Sequence, residues 1–86
     1  MPRVSEFFGI AIYLYHREHY PPHFHAIYGD DEAQIAIDNL SIMKGRLPPR
    51  ALGLVIEWAT LHRDELRRGW KQVLAHQPPS RIAPLK

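Results

Sequence analysis

Three Pro-Pro pairs divide this sequence and limit where its secondary structure can run. They are Pro21-Pro22, Pro48-Pro49 and Pro78-Pro79. Proline fixes its own φ, lacks a backbone N–H and disfavours helix at the residue before it. Each pair therefore predicts the boundary of a helix or strand. The apolar pattern on either side of the second pair supports this division.

Before the second pair, runs rich in Ile, Tyr and Phe predict strands. The predicted strands are Phe8 to His16, His23 to Tyr28, Glu32 to Asp38 and a short one from Ser41 to Arg46, with turns at Gly29-Asp30-Asp31 and Asn39-Leu40. Because the turns are short, neighbouring strands should run antiparallel, as a meander.

After Pro49, apolar residues recur every three or four positions, which predicts a helix. The stripe consists of Ala51, Val55, Trp58, His62, Leu66, Trp70 and Val73. A straight helix over 49–76 would be ~42 Å long, whereas a seven-residue strand spans only ~23 Å. The helix must overhang the sheet, pack on a second subunit, or break near Thr60–Asp64, where Asp64 can cap a second helix.

We therefore predict an α+β fold: an antiparallel three- or four-stranded meander covered by a long C-terminal helix, continuous or broken. A chain of 86 residues supports one hydrophobic core rather than two. The prediction is a single domain over 1–86, with strands within 5–46, a helix within 48–77 and a tail over 78–86.

The two faces of the sheet follow from a register that pairs His16 with His23, since cross-strand partners share a face. The predicted helix-covered face carries Ile10, Ile12, Leu14, Ile27, Ala33, Ile35 and Ile37, with His16, His23 and His25 at one end. The other face carries Tyr13, Tyr15, Phe24, Tyr28, Glu32, Gln34 and Asp38. Rings mixed with polar groups suit a partner surface, or a surface covered by the tail or by a second helix.

The histidine-rich turn from His19 to His25 is the strongest candidate site. His23 and His25 are two apart on a strand, so both rings project from one face. With His19, they offer three imidazoles that can bind a divalent transition metal, with a carboxylate from Asp30, Asp31 or Glu32. Without metal, they can act as general acid and base. The structural alternative is a packed turn whose imidazoles bond to backbone carbonyls.

Two further features lie on the predicted helix. His62 falls on the apolar stripe and would join the histidine turn only if the helix crosses the sheet at that end. Arg63, Arg67 and Lys71 repeat every four residues and form a line. This line fits either a solvated helix face or contact with a phosphate backbone, although no DNA-reading motif accompanies it.

The charge distribution and the composition indicate which class of partner and which cellular compartment to expect. Residues 1–43 carry two basic and six acidic side chains, whereas residues 44–86 carry nine basic and three acidic ones. This polarity favours self-association as a homodimer or an anionic partner. The chain has no cysteine, no stretch of ~20 apolar residues that could span a membrane and no apparent signal peptide. We expect a cytoplasmic protein without membrane partners.

These residues together resemble the small bacterial proteins grouped as the domain of unknown function 4160 family. The matching segments are Phe8-Gly9-Ile10, His19 to His25, Tyr28-Gly29, Leu47, Arg50-Ala51-Leu52, Glu57-Trp58, His62 to Leu66, Trp70 and Ile82 to Leu85. The string His-Tyr-Pro-Pro-His-Phe-His is the specific part, and His16 lies outside it. The resemblance implies no established activity. Members are often encoded beside another small protein, which suggests a toxin–antitoxin-like or regulatory pair.

Two functions follow as hypotheses. The first is a protein-binding module that uses the histidine turn and the predicted aromatic face, with Tyr13, Tyr15, Phe24 and Tyr28, and the basic line of Arg63, Arg67 and Lys71. The second is a metal- or histidine-dependent hydrolase acting on nucleic acid or another phosphoester, with His19, His23 and His25 as catalytic or metal-binding candidates.

Overall fold

A computed structural model of the chain describes residues 3–15 and 19–86, which form five strands and two helices. The strands are β1 (Arg3–Phe7), β2 (Ile10–Tyr13), β3 (His23–Tyr28), β4 (Asp31–Ala36) and β5 (Ile42–Gly45), and the helices are α1 (Pro49–Leu61) and α2 (Arg63–Leu74). The strands form one sheet in the order β1-β2-β3-β4-β5, and each neighbouring pair is antiparallel. The α+β class and the antiparallel meander are confirmed, but the sheet has five strands.

The extra strand, β1, lies just before the segment predicted as one strand from Phe8 to His16. The first two residues of that segment, Phe8-Gly9, form a turn instead, and the chain before the turn pairs with β2 as β1. Both turn residues have positive φ, +49° and +80°, as a two-residue type I′ turn requires. The sheet therefore begins at Arg3, before the predicted limit of residue 5. His16 lies outside the described residues.

The long C-terminal helix is broken, as one of the three alternatives predicted. His62 alone separates α1 from α2, with φ −122° and ψ 26°. Its N–H bonds to the carbonyls of Trp58 and Ala59, and its own carbonyl accepts from the N–H of Leu66. The expectation that Asp64 caps the second helix is wrong: His62 occupies the cap position, and Asp64 lies in the first turn of α2.

The helices and the tail cover one side of the sheet, here called the helix side. The Trp58 ring of α1 packs 5.3 Å from that of Phe7 and 6.0 Å from that of Phe24, between ring centroids. The indole N–H of Trp58 donates to the carbonyl of Ala83, and the Ile82 N–H donates to the carbonyl of Val4. The tail thus runs beside β1 rather than over the aromatic residues on the other face.

The sheet register differs from the prediction by one residue in each of the two hairpins that contain β3. Tyr13, rather than Leu14, lies opposite His25, and a two-residue turn places Tyr28 opposite Asp31. A one-residue slip moves every side chain of a strand to the other face. Each slip reverses the faces of β3 relative to one neighbouring strand. The side chains of β2 and β4 therefore keep their predicted faces, and only those of β3 lie on the face opposite to the prediction.

This inversion reverses the predicted face of five residues of β3. Phe24 lies in the core with no exposed surface, and Tyr28 is on the helix side. His23 and His25 are on the opposite face, as is Ile27, which pairs with Ala11 and Glu32. We call this opposite face the ring face and define it by the strand residues Tyr13, His23, His25, Glu32 and Gln34.

In the described part of the chain, neither helix is long and apolar enough to cross a membrane.

Candidate functional site

Aromatic and imidazole rings contact one another in a continuous chain over the ring face. The Tyr13 and Tyr15 rings stack 5.6 Å apart and nearly parallel. The Tyr15 ring meets that of His25 edge-on at 4.4 Å, and the His25 ring lies 5.3 Å from that of His23. Trp70 of α2 closes the chain, 5.2 Å from His23. The rings fix one another's orientation although no helix or strand among the described residues covers them.

The strand period and the register produce this arrangement. Tyr13 and Tyr15 are two residues apart, as are His23 and His25, so each pair projects from one face. Tyr13 lies directly opposite His25, which places the tyrosines against the histidines. The helix α2 crosses the end of the sheet where β3 begins, because Gly69 lets it approach Leu14: a Cβ there would lie 2.5 Å from the leucine Cδ1.

A single cross-strand row connects the rings to both edges of the sheet. It runs from Arg3 through Tyr13, His25 and Gln34 to Lys44. The Arg3 guanidinium lies 5.6 Å from the centre of the Tyr13 ring, a distance at which cation–π attraction operates. The hydrogen bond with the Tyr13 hydroxyl, and then the charge of Glu6, raise the pKa of Arg3. A permanent cation therefore stands at the β1 end of the row.

Both buried histidines are oriented through their Nδ1 atoms. The Nδ1 of His23 lies 2.9 Å from the Pro21 carbonyl oxygen, and that of His25 lies 2.8 Å from Oε2 of Glu32. A carbonyl or carboxylate oxygen can only accept, so Nδ1 carries the hydrogen in each ring. Partners of this kind also orient the histidines of metal and catalytic sites.

The predicted histidine trio is only partly assembled. His23 and His25 are buried, with 3% and 5% of their surface exposed, whereas His19 is exposed. No group of three or more His, Asp or Glu side chains within residues 3–15 and 19–86 could hold a metal ion. The metal-binding and catalytic roles of His19, His23 and His25 stay predictions.

The other candidate residues fall into separate parts of the molecule. Phe24 and Tyr28 are absent from the ring face for the reason given above. The Nδ1 of His62 bonds to the carboxylate of Glu65, and α2 crosses the histidine end of the sheet through Trp70 instead of His62.

The basic line on α2 is partly neutralised. Arg67 pairs with Asp38 at 3.2 Å and with Asp64 at 3.4 Å. Lys71 is exposed and Arg63 is half-buried. These contacts reduce the positive charge that the line would offer to a phosphate backbone.

The sequence analysis missed Trp70 as part of the site, because its position on the apolar stripe assigned it to the core. Its indole N–H is buried and has no acceptor among the described residues. The Tyr20 ring lies edge-on to it, with the ring centroids 6.5 Å apart. One signal was available in the sequence: Trp70 lies after the predicted break near Thr60–Asp64. A break changes the direction of the second helix, so a residue beyond it can point away from the core.

The comparison with protein families agrees with the resemblance. The family model described as Domain of unknown function (DUF4160) matches residues 9–71. The chain belongs to this family. The matched region holds β2 to β5, α1 and most of α2, and therefore nearly all of the ring face. No curated protein matches the chain, and no solved structure does.

Proposed function

We propose that this member of the family is a small cytoplasmic protein-binding module whose partner surface is the ring face together with the free edge of β5. The observation that carries the proposal is the difference between the two edges of the sheet. At β1, the tail supplies the hydrogen bond from Ile82 to Val4. At β5, all four residues are exposed, and nothing in the described ranges lies beyond them.

An uncovered edge strand is a template for pairing with another chain. The exposed apolar side chains Ile42 and Met43, 41% and 40% exposed, increase that tendency. Natural proteins usually protect such edges, and many recognition domains use them to add a partner's extended segment to the sheet. We infer that β5 accepts one extended segment of a second protein.

The surface beside this edge defines the partner's chemistry. A cleft of about 270 Å³ adjoins β5 and is lined by Glu32, Gln34, Lys44 and Gly45. Its lysine would pair with an acidic side chain of the added segment. Farther along the same row, His25 and Tyr13 expose only 5% and 9% of their surface, so they would add a small apolar contact at most.

The packed rings also favour binding on entropic grounds. Tyrosine and histidine offer large contact areas with few rotatable bonds, and rings that are already held by their neighbours lose little freedom on association. The partner we propose is the protein encoded beside this one, in a toxin–antitoxin-like or regulatory pair. A second copy of this chain is the alternative occupant.

Co-expression with the product of the adjacent gene tests this proposal. The chain should carry a tag without histidine and be analysed by size-exclusion chromatography with light scattering. We expect a stable complex of the two chains. Ile42→Lys should weaken it at least tenfold, because a charge at the strand edge opposes pairing. Tyr15→Ala should weaken it by a similar factor, because it removes the half-buried ring that links Tyr13 to His25.

Leu61→Lys is the matched control, since Leu61 is 67% exposed at the end of α1, the helix that packs on the helix side. It should bind as the unmodified chain does. A chain that elutes alone and monomeric contradicts the proposal, as does a complex that Ile42→Lys and Tyr15→Ala both leave intact. A homodimer that Ile42→Lys dissociates would assign the surface to a second copy.

A histidine-dependent hydrolase acting on a phosphoester is the second candidate, favoured by the 2.8 Å contact between His25 and Glu32. A carboxylate that orients an imidazole is the arrangement that general bases use. Metal analysis of untagged protein and phosphodiesterase assays of His25→Ala and Glu32→Gln test this candidate. Absence of stoichiometric metal, with no activity that depends on either residue, would exclude it.

A further inference from the structure

A second site lies on the helix side, at the end of β3 farthest from the histidines. A cavity of about 400 Å³ opens there between the Phe8-Gly9 turn and the start of α1. Buried Ile10 and Ala51 line it, and Leu54 and Tyr28 complete its apolar walls. Sites for small molecules and cofactors commonly have volumes of ~300–1,000 Å³ and mainly apolar linings.

Phe8 lies at this cavity, and its backbone has a conformation that is unfavourable for phenylalanine. Its φ is +49°, in the left-handed region that is strained for a residue with a Cβ. Asn, Asp or Gly is the usual choice in such a turn. The ring nevertheless remains 60% exposed, so its burial does little to offset the strain. Backbone strain that packing does not compensate is typical of functional positions.

The neighbouring ring is held in place by the same turn. A Cβ built on Gly9 would lie 3.5 Å from Cε1 of Tyr28, so the glycine backbone rests against the edge of that ring. Tyr28 is itself 41% exposed. Two partly exposed aromatic rings thus flank an apolar cavity, and both can contact the body of a bound molecule.

The charge at the cavity determines the class of ligand. Arg50 is the only charged residue that lines it in the described part of the chain, and no described carboxylate pairs with the guanidinium. The first turn of α1 also contains no acidic residue. An anionic group would be attracted here, and a guanidinium binds a carboxylate through two parallel hydrogen bonds.

We infer that this cavity binds a small monocarboxylate with an aromatic or medium-chain aliphatic body. The body contacts Phe8, Tyr28 and Leu54, and the carboxylate pairs with Arg50. The site is separate from the ring face, and its test does not depend on the partner-binding proposal.

NMR titration of the full chain tests the inference. The probe is octanoate, compared with octanol, octylamine and acetate. We expect octanoate to shift the amide signals of Gly9, Ala51 and neighbouring residues, and to bind at least tenfold more tightly than the three comparison compounds. Shifts confined to the ring face, or equal binding of octanol and octanoate, would overturn the inference. So would tighter binding of a peptide ending in a leucine carboxylate, which would indicate a protein terminus as ligand.

Two variants separate binding from folding. Arg50→Gln should weaken octanoate binding about tenfold, as loss of a charge-assisted hydrogen bond does, while Arg68→Gln on α2 should leave it unchanged. Phe8→Asn should weaken binding and also raise the Tm by roughly 4–8 °C, because asparagine tolerates the positive φ. Lower affinity with higher stability is not expected of a purely structural residue. Unchanged affinity in both variants would overturn the assignment.

Discussion

The helix side and the ring face belong to the same sheet, but they are packed by different means. On the helix side, Phe24 and Ile35 have no exposed surface because Trp58 and its neighbours lie over them. On the ring face, His25 is almost as buried, but its neighbours are the rings beside it and no described element lies above. The first surface contributes mainly to folding. The second holds its side chains in a fixed arrangement through contacts among the rings themselves.

Adjacent residues of β3 give the sharpest test of this difference. Phe24→Ala removes a ring from beneath Trp58 and should lower the free energy of unfolding by about 3–5 kcal/mol. His25→Ala removes the hydrogen bond to Glu32 and the contacts with the neighbouring rings, and should cost only about 1–2 kcal/mol. Urea unfolding followed by tryptophan fluorescence measures both. Equal losses would mean that the ring face is packed as a second core.

The substitution Gly45→Ala tests how closely β5 must pack against β4. The φ of Gly45 is +77°, and a Cβ there would lie 2.1 Å from the backbone oxygen of Glu32. Gly45→Ala should therefore displace β5 and cost about 2–3 kcal/mol. In Gly53→Ala, the matched control within α1, the new Cβ meets nothing within 4 Å, and the change should stabilise the protein by about 0.5–1 kcal/mol.

Hydrogen exchange would then show where Gly45→Ala acts. Protection should fall in β4 and β5 and persist in β1 and β2. A uniform loss of protection across the sheet would contradict a local displacement of the edge strand. A stability change below about 0.5 kcal/mol would contradict the clash itself.

The coupling between Tyr13 and Tyr15 tests whether the rings support one another. A double-mutant cycle with Tyr13→Ala and Tyr15→Ala should give a coupling of about 0.5–1.5 kcal/mol, as for other stacked aromatic pairs. The same cycle between Tyr13 and Leu74, which lie on different elements and share no contact given by the structure, should give almost none. Additive losses in the first cycle would mean that each ring packs independently.

The sequence pattern predicted the features that rest on periodicity and proline. It placed β3, both Pro-bounded ends of the helical region and the inward-facing residues of β2 and β4. The prediction failed where one residue more or less in a turn determines the strand pairing. Phe8-Gly9 is not a typical hairpin sequence, so β1 was missed, and a slip of one residue in each flanking hairpin inverted β3.

The site was predictable in its parts rather than in its assembly. The histidine turn and the two tyrosines were identified because strand alternation alone groups them. Trp70 was missed because its contact with His23 depends on the direction that α2 takes after His62, which no local pattern determines. The cavity beside Phe8 was missed because it is formed by the turn that the sequence analysis treated as strand.

The substitution Arg67→Ala should give the smallest of the predicted losses of stability. Arg67 lies at the end of the sheet where the helix side meets the ring face. Its ion pair with Asp38 joins α2 to the segment that follows β4, and its pair with Asp64 lies within α2, but all three side chains are substantially exposed. Exposed pairs contribute little, so Arg67→Ala should cost less than about 1 kcal/mol, and the difference should vanish in about 1 M NaCl, where screening is strong. Arg68→Ala, which breaks no ion pair that the structure describes, is the control. A loss above about 2 kcal/mol would mean that charge, rather than the burial of Leu66 and Trp70, fixes α2 against the rings.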